Sequence, residues 1–400
     1  MSATERIIAD ARLQLLPSDA NRYATIFGVV GLAGLGYTAL GFFNQADKAD
    51  ALLSYLVAYV YGVTILAGCM FFGTLQHLVG ARWSTTLRRL AENVGAVTPI
   101  LAVLFLPLLW GMGTIWSWAN GQPQPADVVA KEGYLNTQFF IIRAVLYLLV
   151  WAVIGTWFHR KSVAQDQSGD PLLTKSMRKA STVSVILFGI TISFAGIDWV
   201  MSLDPTWPST MFGVYTFAGS MISSLSVIAL TAHLLQRSGY LKGVITVENY
   251  HDLGKLMFGF IVFWAYIAYS QYMLIWYANI PEETAWYRAR WENGWSTMAT
   301  ALCILHFGVP FFAMLSRTAK RNAVAMMSVA ALILVMHYVD LFWVIMPVRR
   351  PHFEVTARDL AALVGVAGLC LAGIFNRMGS AALIPVKDPY VLSSLEYDNG

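Results

Sequence analysis

Apolar residues along this chain are grouped in long runs, and short polar stretches separate the runs. A helix needs about 20 mostly apolar residues to cross the roughly 30 Å hydrocarbon core of a bilayer. The pattern therefore predicts an all-α polytopic membrane protein with about ten transmembrane helices. The predicted spans are residues 23–43, 52–78, 94–117, 136–158, 180–203, 210–235, 255–280, 295–316, 322–347 and 357–376. Because the connections are short, we expect one membrane domain over residues 1–400, without a separate soluble domain.

The composition favours the same class of protein. Hydrophobic residues make up 57% of the chain and charged residues only 12%, which is too apolar for a surface that water must wet. Residues 1–22 lack the apolar core of a signal peptide, so the first run is expected to remain as a span. The net charge of +4 gives no indication of a nucleic-acid partner.

The three cysteines give no sign of a cofactor. Cys69, Cys303 and Cys370 each lie alone inside an apolar segment. Zinc, iron–sulfur clusters and c-type haem are held by closely spaced cysteines, and that spacing does not occur here. The sequence predicts that this chain binds no redox cofactor or metal of its own, so any such group belongs to partners.

The distribution of Lys and Arg predicts the orientation of the chain. Alternate connections place 19 of these residues on one side, seven on the other side, and Arg143 inside a span. Positive residues are retained in the cytoplasm. Both termini are therefore expected to face the cytoplasm, which fits an even number of spans.

Two matched spacings predict an internal duplication. The second and sixth spans each end in His-Leu, with Glu-Asn fifteen residues after the histidine, as at His77 with Glu92 and His233 with Glu248. The fifth and ninth spans each carry an aspartate seven residues before a proline, as at Asp198 with Pro205 and Asp340 with Pro347. We interpret residues 52–203 and 210–347 as parallel repeats of a four-helix bundle, flanked by spans 23–43 and 357–376. Chance alignment of common loop residues is the alternative.

Ionisable residues inside the spans are the candidate functional residues, because a charge at the bilayer centre costs about 3 kcal/mol on insertion scales. Arg143, Asp198 and Asp340 are expected at similar depth near the outer face. His337 precedes Asp340 by three residues, which places both on one face of a helix. His306 is expected near the middle of its span. Together these residues predict an outer polar track.

Other polar residues extend this track in both directions. Tyr266 is expected on a central polar stripe of its span, and His77, His233 and Asp252 are expected to form an inner track near the cytoplasm. Histidine titrates near neutral pH, so such tracks could pass protons. The alternative is structural, with Arg143 and one aspartate forming a buried salt bridge that fixes helix packing.

Two segments carry a resemblance to a known family. They are FAGIDWVMSLDPTWPST at residues 194–210, and ITVENYHDLGKLMFGFIVFWAYIAYSQYMLIWYANIPEE at residues 245–283. With the ten-span pattern, they resemble the NrfD-like integral membrane subunits, and most closely the ActF family, the smaller of two such subunits in alternative complex III. The resemblance covers nearly the whole chain and implies two four-helix bundles between a first and a tenth helix.

The resemblance also implies a cellular location and a set of electron-transfer partners. The complexes of this family lie in the bacterial cytoplasmic membrane and oxidise menaquinol. They pass electrons through an iron–sulfur protein and multihaem cytochrome c subunits to a soluble carrier or a terminal oxidase. Haem c and the iron–sulfur clusters belong to these partners, and the quinol pocket belongs to the larger NrfD-like sister subunit. Asp198 matches the family's outer-end aspartate and would be the quinone-binding residue if menaquinone bound this chain.

The expected role is a proton path, or a scaffold, beside the quinol-oxidising sister subunit, without catalysis by this chain alone. Two alternatives remain open. The chain could bind quinol in its own right, or it could be a secondary transporter, which would typically have helices broken at corresponding depths. A b-type cytochrome is disfavoured, because His306 and His337 are expected at depths that differ by about 7 Å.

Overall fold

The structure, a computed structural model, describes Ile7 and residues 10 to 398. Ten of its helices are long and apolar enough to cross a membrane, and the described residues contain no β-strand. The chain is therefore an all-α polytopic membrane protein. The ten helices, numbered in chain order, are α1 Pro17–Phe43, α2 Lys48–Val79, α3 Thr85–Trp110, α4 Thr137–Ser168, α5 Pro171–Leu203, α6 Phe212–Arg237, α7 Val247–Ala278, α8 Trp295–Leu315, α9 Ala323–Val348 and α10 Ala357–Ser380.

Helix α3 differs most from its predicted span. It begins at Thr85 instead of residue 94, and its regular structure is interrupted between Gly95 and Ile100. Its first part carries Arg88, Arg89 and Glu92, which all lie buried in contact with one another. A charged segment does not register as apolar, so hydropathy did not reveal that the helix begins at Thr85.

The centre of the molecule is formed by α2 and α6. Helix α2 packs against α1, α3, α5, α6, α9 and α10, and 89% of its most apolar window is buried inside the protein. Helix α6 packs against α2, α5, α7 and α9. Helices α1, α7 and α8 lie at the periphery, where most of their residues are left for lipid or partner proteins.

Helices α1 and α10 pack closely through glycines. A Cβ atom at Gly31 would lie 2.8 Å from the backbone nitrogen of Leu369, and one at Gly368 would lie 2.6 Å from the Cα atom of Gly31. Small residues of this kind let helix backbones approach in a membrane, where close van der Waals packing replaces the hydrophobic effect. The first and tenth helices therefore form one unit that packs on α2.

The segments just before α1 and just after α10 lie on the same side of the helices. Gln14 and Ala382 form an antiparallel bridge, and the amide of Leu383 donates a hydrogen bond of 2.6 Å to the carbonyl of Leu13. This agrees with an even number of crossings. The cytoplasmic orientation and the duplication of the four-helix bundle stay predictions.

Candidate functional site

The candidate site lies where α9 meets α2, α6, α7 and α8. His337 and Asp340 occupy one face of α9, three residues apart, and each is only 1% exposed. Their neighbours are donors and aromatic rings from the other helices, so the site assembles only in the folded chain.

Asp340 is held by two uncharged donors. The Tyr215 hydroxyl of α6 donates to Oδ1, and the Trp264 indole of α7 donates to Oδ2 at 3.3 Å. No Lys or Arg among the described residues forms an ion pair with this carboxyl group. A carboxylate can accept more hydrogen bonds than these two. Asp340 therefore keeps free acceptor capacity at membrane depth.

His337 has one occupied and one free ring nitrogen. Its Nε2 lies 2.9 Å from the Thr64 hydroxyl of α2, and that hydroxyl also lies 2.9 Å from the Tyr61 carbonyl, which can only accept. When the single proton of the Thr64 hydroxyl is donated to the Tyr61 carbonyl, the hydroxyl oxygen accepts from Nε2–H, and Nδ1 is then an acceptor. The buried Nδ1 has no partner among the described residues.

Gly219 makes the space for this imidazole. A Cβ atom at that position of α6 would lie 2.8 Å from Cε1 of His337. The position of the ring is therefore set by the close approach of α6 to α9.

His306 lies in an irregular part of α8. Residues Leu302–Gly308 form a π-helix, and Pro310 follows it without an amide hydrogen to donate. Single π turns are frequent at functional sites. The ring of His306 is fully buried, its centroid lies 4.1 Å from that of Trp264, and neither nitrogen has a partner among the described residues. His306 and His337 are neighbours, with ring centroids 6.5 Å apart.

Two cavities meet at Asp340. A small one has a volume of about 10 Å³, which is close to the least volume that holds one water. Its wall is mostly apolar, with Val60, Phe212 and Leu341 among the lining residues, and Thr64, Tyr215, Thr216, His337 and Asp340 supply its polar groups. The other has a volume of about 380 Å³ and is lined mostly by aromatic side chains of α6 to α9 and of the helix Pro281–Arg288. Asp340 therefore lines both a niche that it shares with His337 and an aromatic cavity.

One end of the aromatic cavity is closed by the helix Pro281–Arg288 and the turn after it. Arg290 is buried, with its guanidinium 3.4 Å from the Trp286 ring centroid, and it donates to the Val344 carbonyl of α9 at 2.5 Å. Burial lowers the pKa of Arg290 to about 9. The Gln271 amide of α7 donates to the Tyr287 hydroxyl at 3.1 Å. These contacts attach the loop to the helices beneath it.

The other predicted outer residues form a separate group. Arg143 of α4 and Asp198 of α5 form a two-point ion pair, with Nε–Oδ2 of 2.8 Å and Nη2–Oδ1 of 3.0 Å. The Tyr147 hydroxyl also donates to Asp198 at 2.8 Å, and the Arg143 guanidinium lies 3.8 Å from the Tyr134 ring centroid. Asp198 is thus neutralised by its own cation, and Arg143 does not reach Asp340.

The predicted inner residues are divided among different partners. His77 lies 3.0 Å from Glu92, inside a buried network that includes Arg88 and, through it, Asp388 of the C-terminal segment at 2.6 Å. Asp252 pairs with Lys255 of its own helix.

Two further predicted residues lie away from the buried groups. His233 is half-buried at the end of α6, and Tyr266 is 63% exposed on the outer surface of α7. The structure therefore gathers Asp340, His337 and His306, and it leaves the other predicted residues elsewhere.

Sequence patterns did not point to Tyr215, Trp264 or Thr64. Each lies in an apolar run and has a polar atom at its end, as many membrane residues do. A buried aspartate needs hydrogen-bond donors from neighbouring helices, and this general requirement was the only indication that such residues exist.

No model of a protein family matches the chain, and no curated protein sequence matches it significantly.

Proposed function

We propose that this chain is an integral membrane subunit of a bacterial complex that oxidises menaquinol, and that it carries protons beside the quinol-oxidising subunit. The resemblance of residues 194–210 and 245–283 to NrfD-like subunits supplies the class of complex. The partners are then a larger NrfD-like sister subunit, an iron–sulfur protein and multihaem cytochrome c subunits, in the cytoplasmic membrane.

The observation that carries the proton role is the environment of Asp340. A carboxylate among spanning helices needs a cation, a proton or a wet cavity. Asp340 has two neutral donors and lies beside a niche of about 10 Å³ that it shares with His337. In the proposed relay, Asp340 exchanges a proton with Nδ1 of His337 through a water in this niche, while Thr64 holds Nε2.

Asp198 has a structural role in this proposal, although it is the residue that matches the family motif. Its ion pair with Arg143 stabilises the charged carboxylate and joins α4 to α5. Loss of that charge would leave a buried guanidinium unpaired.

Purification of the complex through a tag on this chain, in mild detergent, tests the class of protein. Multihaem cytochrome c and iron–sulfur subunits should co-purify, with a haem spectrum and with menaquinol oxidation. Recovery of this chain alone and colourless would contradict the proposal.

The proton role is tested in liposomes that contain the purified complex. Asp340→Asn should lower the number of protons moved per electron while menaquinol oxidation continues. Asp198→Asn is the matched control, and the complex that assembles with it should keep the wild-type ratio. An unchanged ratio in Asp340→Asn would remove the proton role and leave a scaffold.

A further inference from the structure

The aromatic cavity of about 380 Å³ beside Asp340 has the size and lining of a small-molecule site. Ligand sites are concave, mostly apolar, and carry a few convergent polar groups. Its walls include Tyr215, Trp264, Tyr287, Trp291 and Cys303, together with the buried Asp340.

The mouth of the cavity opens towards lipid. Tyr269 of α7 and Cys303 of α8 line the cavity and are exposed on the surface of the chain. Cys303 lies eight residues into α8, which corresponds to about 12 Å from the start of that helix. Tyr269 lies nine residues before the end of α7, about 14 Å from it by the same rise. Both are within spanning segments, so an occupant enters from the bilayer.

The lining favours a flat ring with hydroxyl groups. Indole and phenol side chains offer faces and edges to an aromatic occupant. The carboxylate of Asp340 has acceptor capacity that Tyr215 and Trp264 do not use. A lipid-soluble molecule whose ring hydroxyl donates to this carboxylate satisfies both features.

We infer that this cavity binds the head group of a quinol, with one ring hydroxyl donating a hydrogen bond to Asp340. The choice of a quinol rests on the proposed function, while the ring, its polarity and its entry from lipid rest on the cavity. The inference concerns binding only. It locates quinol binding at Asp340 and not at Asp198, whose carboxylate is occupied by Arg143 and Tyr147.

Cys303 supplies a native probe, because Cys69 and Cys370 are buried. In the purified complex, without an electron acceptor, the rate of Cys303 modification by N-ethylmaleimide is followed by mass spectrometry of its peptide. The ligand is 2,3-dimethyl-1,4-naphthoquinol, whose ring has no free vinylic carbon that could alkylate the thiol in its oxidised form. At ten times its Kd it should slow modification about tenfold, since the free fraction of sites is then about one in eleven.

Two controls make the result specific. The hydrocarbon 2,3-dimethylnaphthalene has the same ring without hydroxyls, and it should give little protection. Ala268→Phe places a ring inside the cavity and should abolish protection by the quinol, whereas Ala278→Phe on the same helix lies outside the cavity and should keep it. If Ala268→Phe does not assemble, Asp340→Asn should raise the half-protecting concentration about tenfold, as expected for the loss of about 1.4 kcal/mol from a hydrogen bond to a charged group.

The outcomes separate this inference from the proposed function. An unchanged rate of Cys303 modification, or equal protection by the hydrocarbon, overturns quinol binding in the cavity even if the complex co-purifies and oxidises menaquinol. Protection by the quinol in a chain that purifies without partners supports the cavity and contradicts the proposed complex.

Discussion

The aspartates of α5 and α9 have the same place in the sequence pattern and opposite environments. Each precedes a proline by seven residues and lies buried near one end of its helix. Asp198 is paired with Arg143, whereas Asp340 is held by the neutral donors Tyr215 and Trp264. A neighbouring cation stabilises a buried carboxylate, whereas a carboxylate among spanning helices without one needs a proton or a wet cavity. Equal spacing in the sequence therefore does not imply equal environments.

The largest expected effect is the loss of stability when one charge of the Arg143–Asp198 ion pair is removed. Arg143→Leu leaves the Asp198 carboxylate buried without its cation, which should destabilise the protein by about 3–5 kcal/mol. Thermal unfolding in detergent measures the effect. Asp340→Asn leaves no buried cation without a partner, so it should lower the stability far less.

The double variant Arg143→Leu with Asp198→Leu is the control for that prediction. Replacement of both charges removes the unpaired carboxylate, so it should recover most of the lost stability. If Arg143→Leu alone unfolds at the wild-type temperature, the ion pair does not fix α4 to α5.

A smaller effect is expected from the two tyrosines that donate to these aspartates. Tyr147→Phe and Tyr215→Phe each remove one hydrogen bond to a carboxyl group, at a cost of about 1.5–3 kcal/mol if that group is charged. The functional consequences should differ. Tyr215→Phe should change the protons moved per electron, and Tyr147→Phe should change stability alone.

The pair of tyrosine variants is measured in the same liposomes, together with unfolding temperatures. A change of the proton ratio in Tyr147→Phe but not in Tyr215→Phe would reverse the assignment of the two sites.

The smallest effect is expected at Tyr266. Its side chain is 63% exposed on the surface of α7, outside the buried group. Tyr266→Phe should therefore keep both the stability and the proton ratio within error, as surface substitutions usually change stability by less than about 0.5 kcal/mol. A lower proton ratio in this variant would return Tyr266 to the path that its sequence position suggested.

The ten spans could be predicted because long apolar runs have a single explanation in a membrane protein. The start of α3 could not be predicted from hydropathy, because its first turns carry charged residues. Arg88 and Arg89 are buried there only because each pairs with Glu92 inside the fold. The spacing of His337 and Asp340 on one helix was readable, because helix geometry alone relates residues three apart.

Contacts between helices could not be predicted from the sequence in this way. Which cation meets which aspartate depends on how α4, α5, α6 and α9 are arranged, and no periodicity within one helix contains that information. The exposure of Tyr266 has the same origin, because a polar stripe on α7 does not reveal whether it faces the bundle or its outside.

The difference between the two aspartates is tested most directly by infrared difference spectroscopy of the complex on addition of menaquinol. We expect a change in a carboxylic C=O band that disappears in Asp340→Asn and persists in Asp198→Asn. A band that persists in Asp340→Asn and disappears in Asp198→Asn would contradict the account, because the proton would then be exchanged at the ion pair.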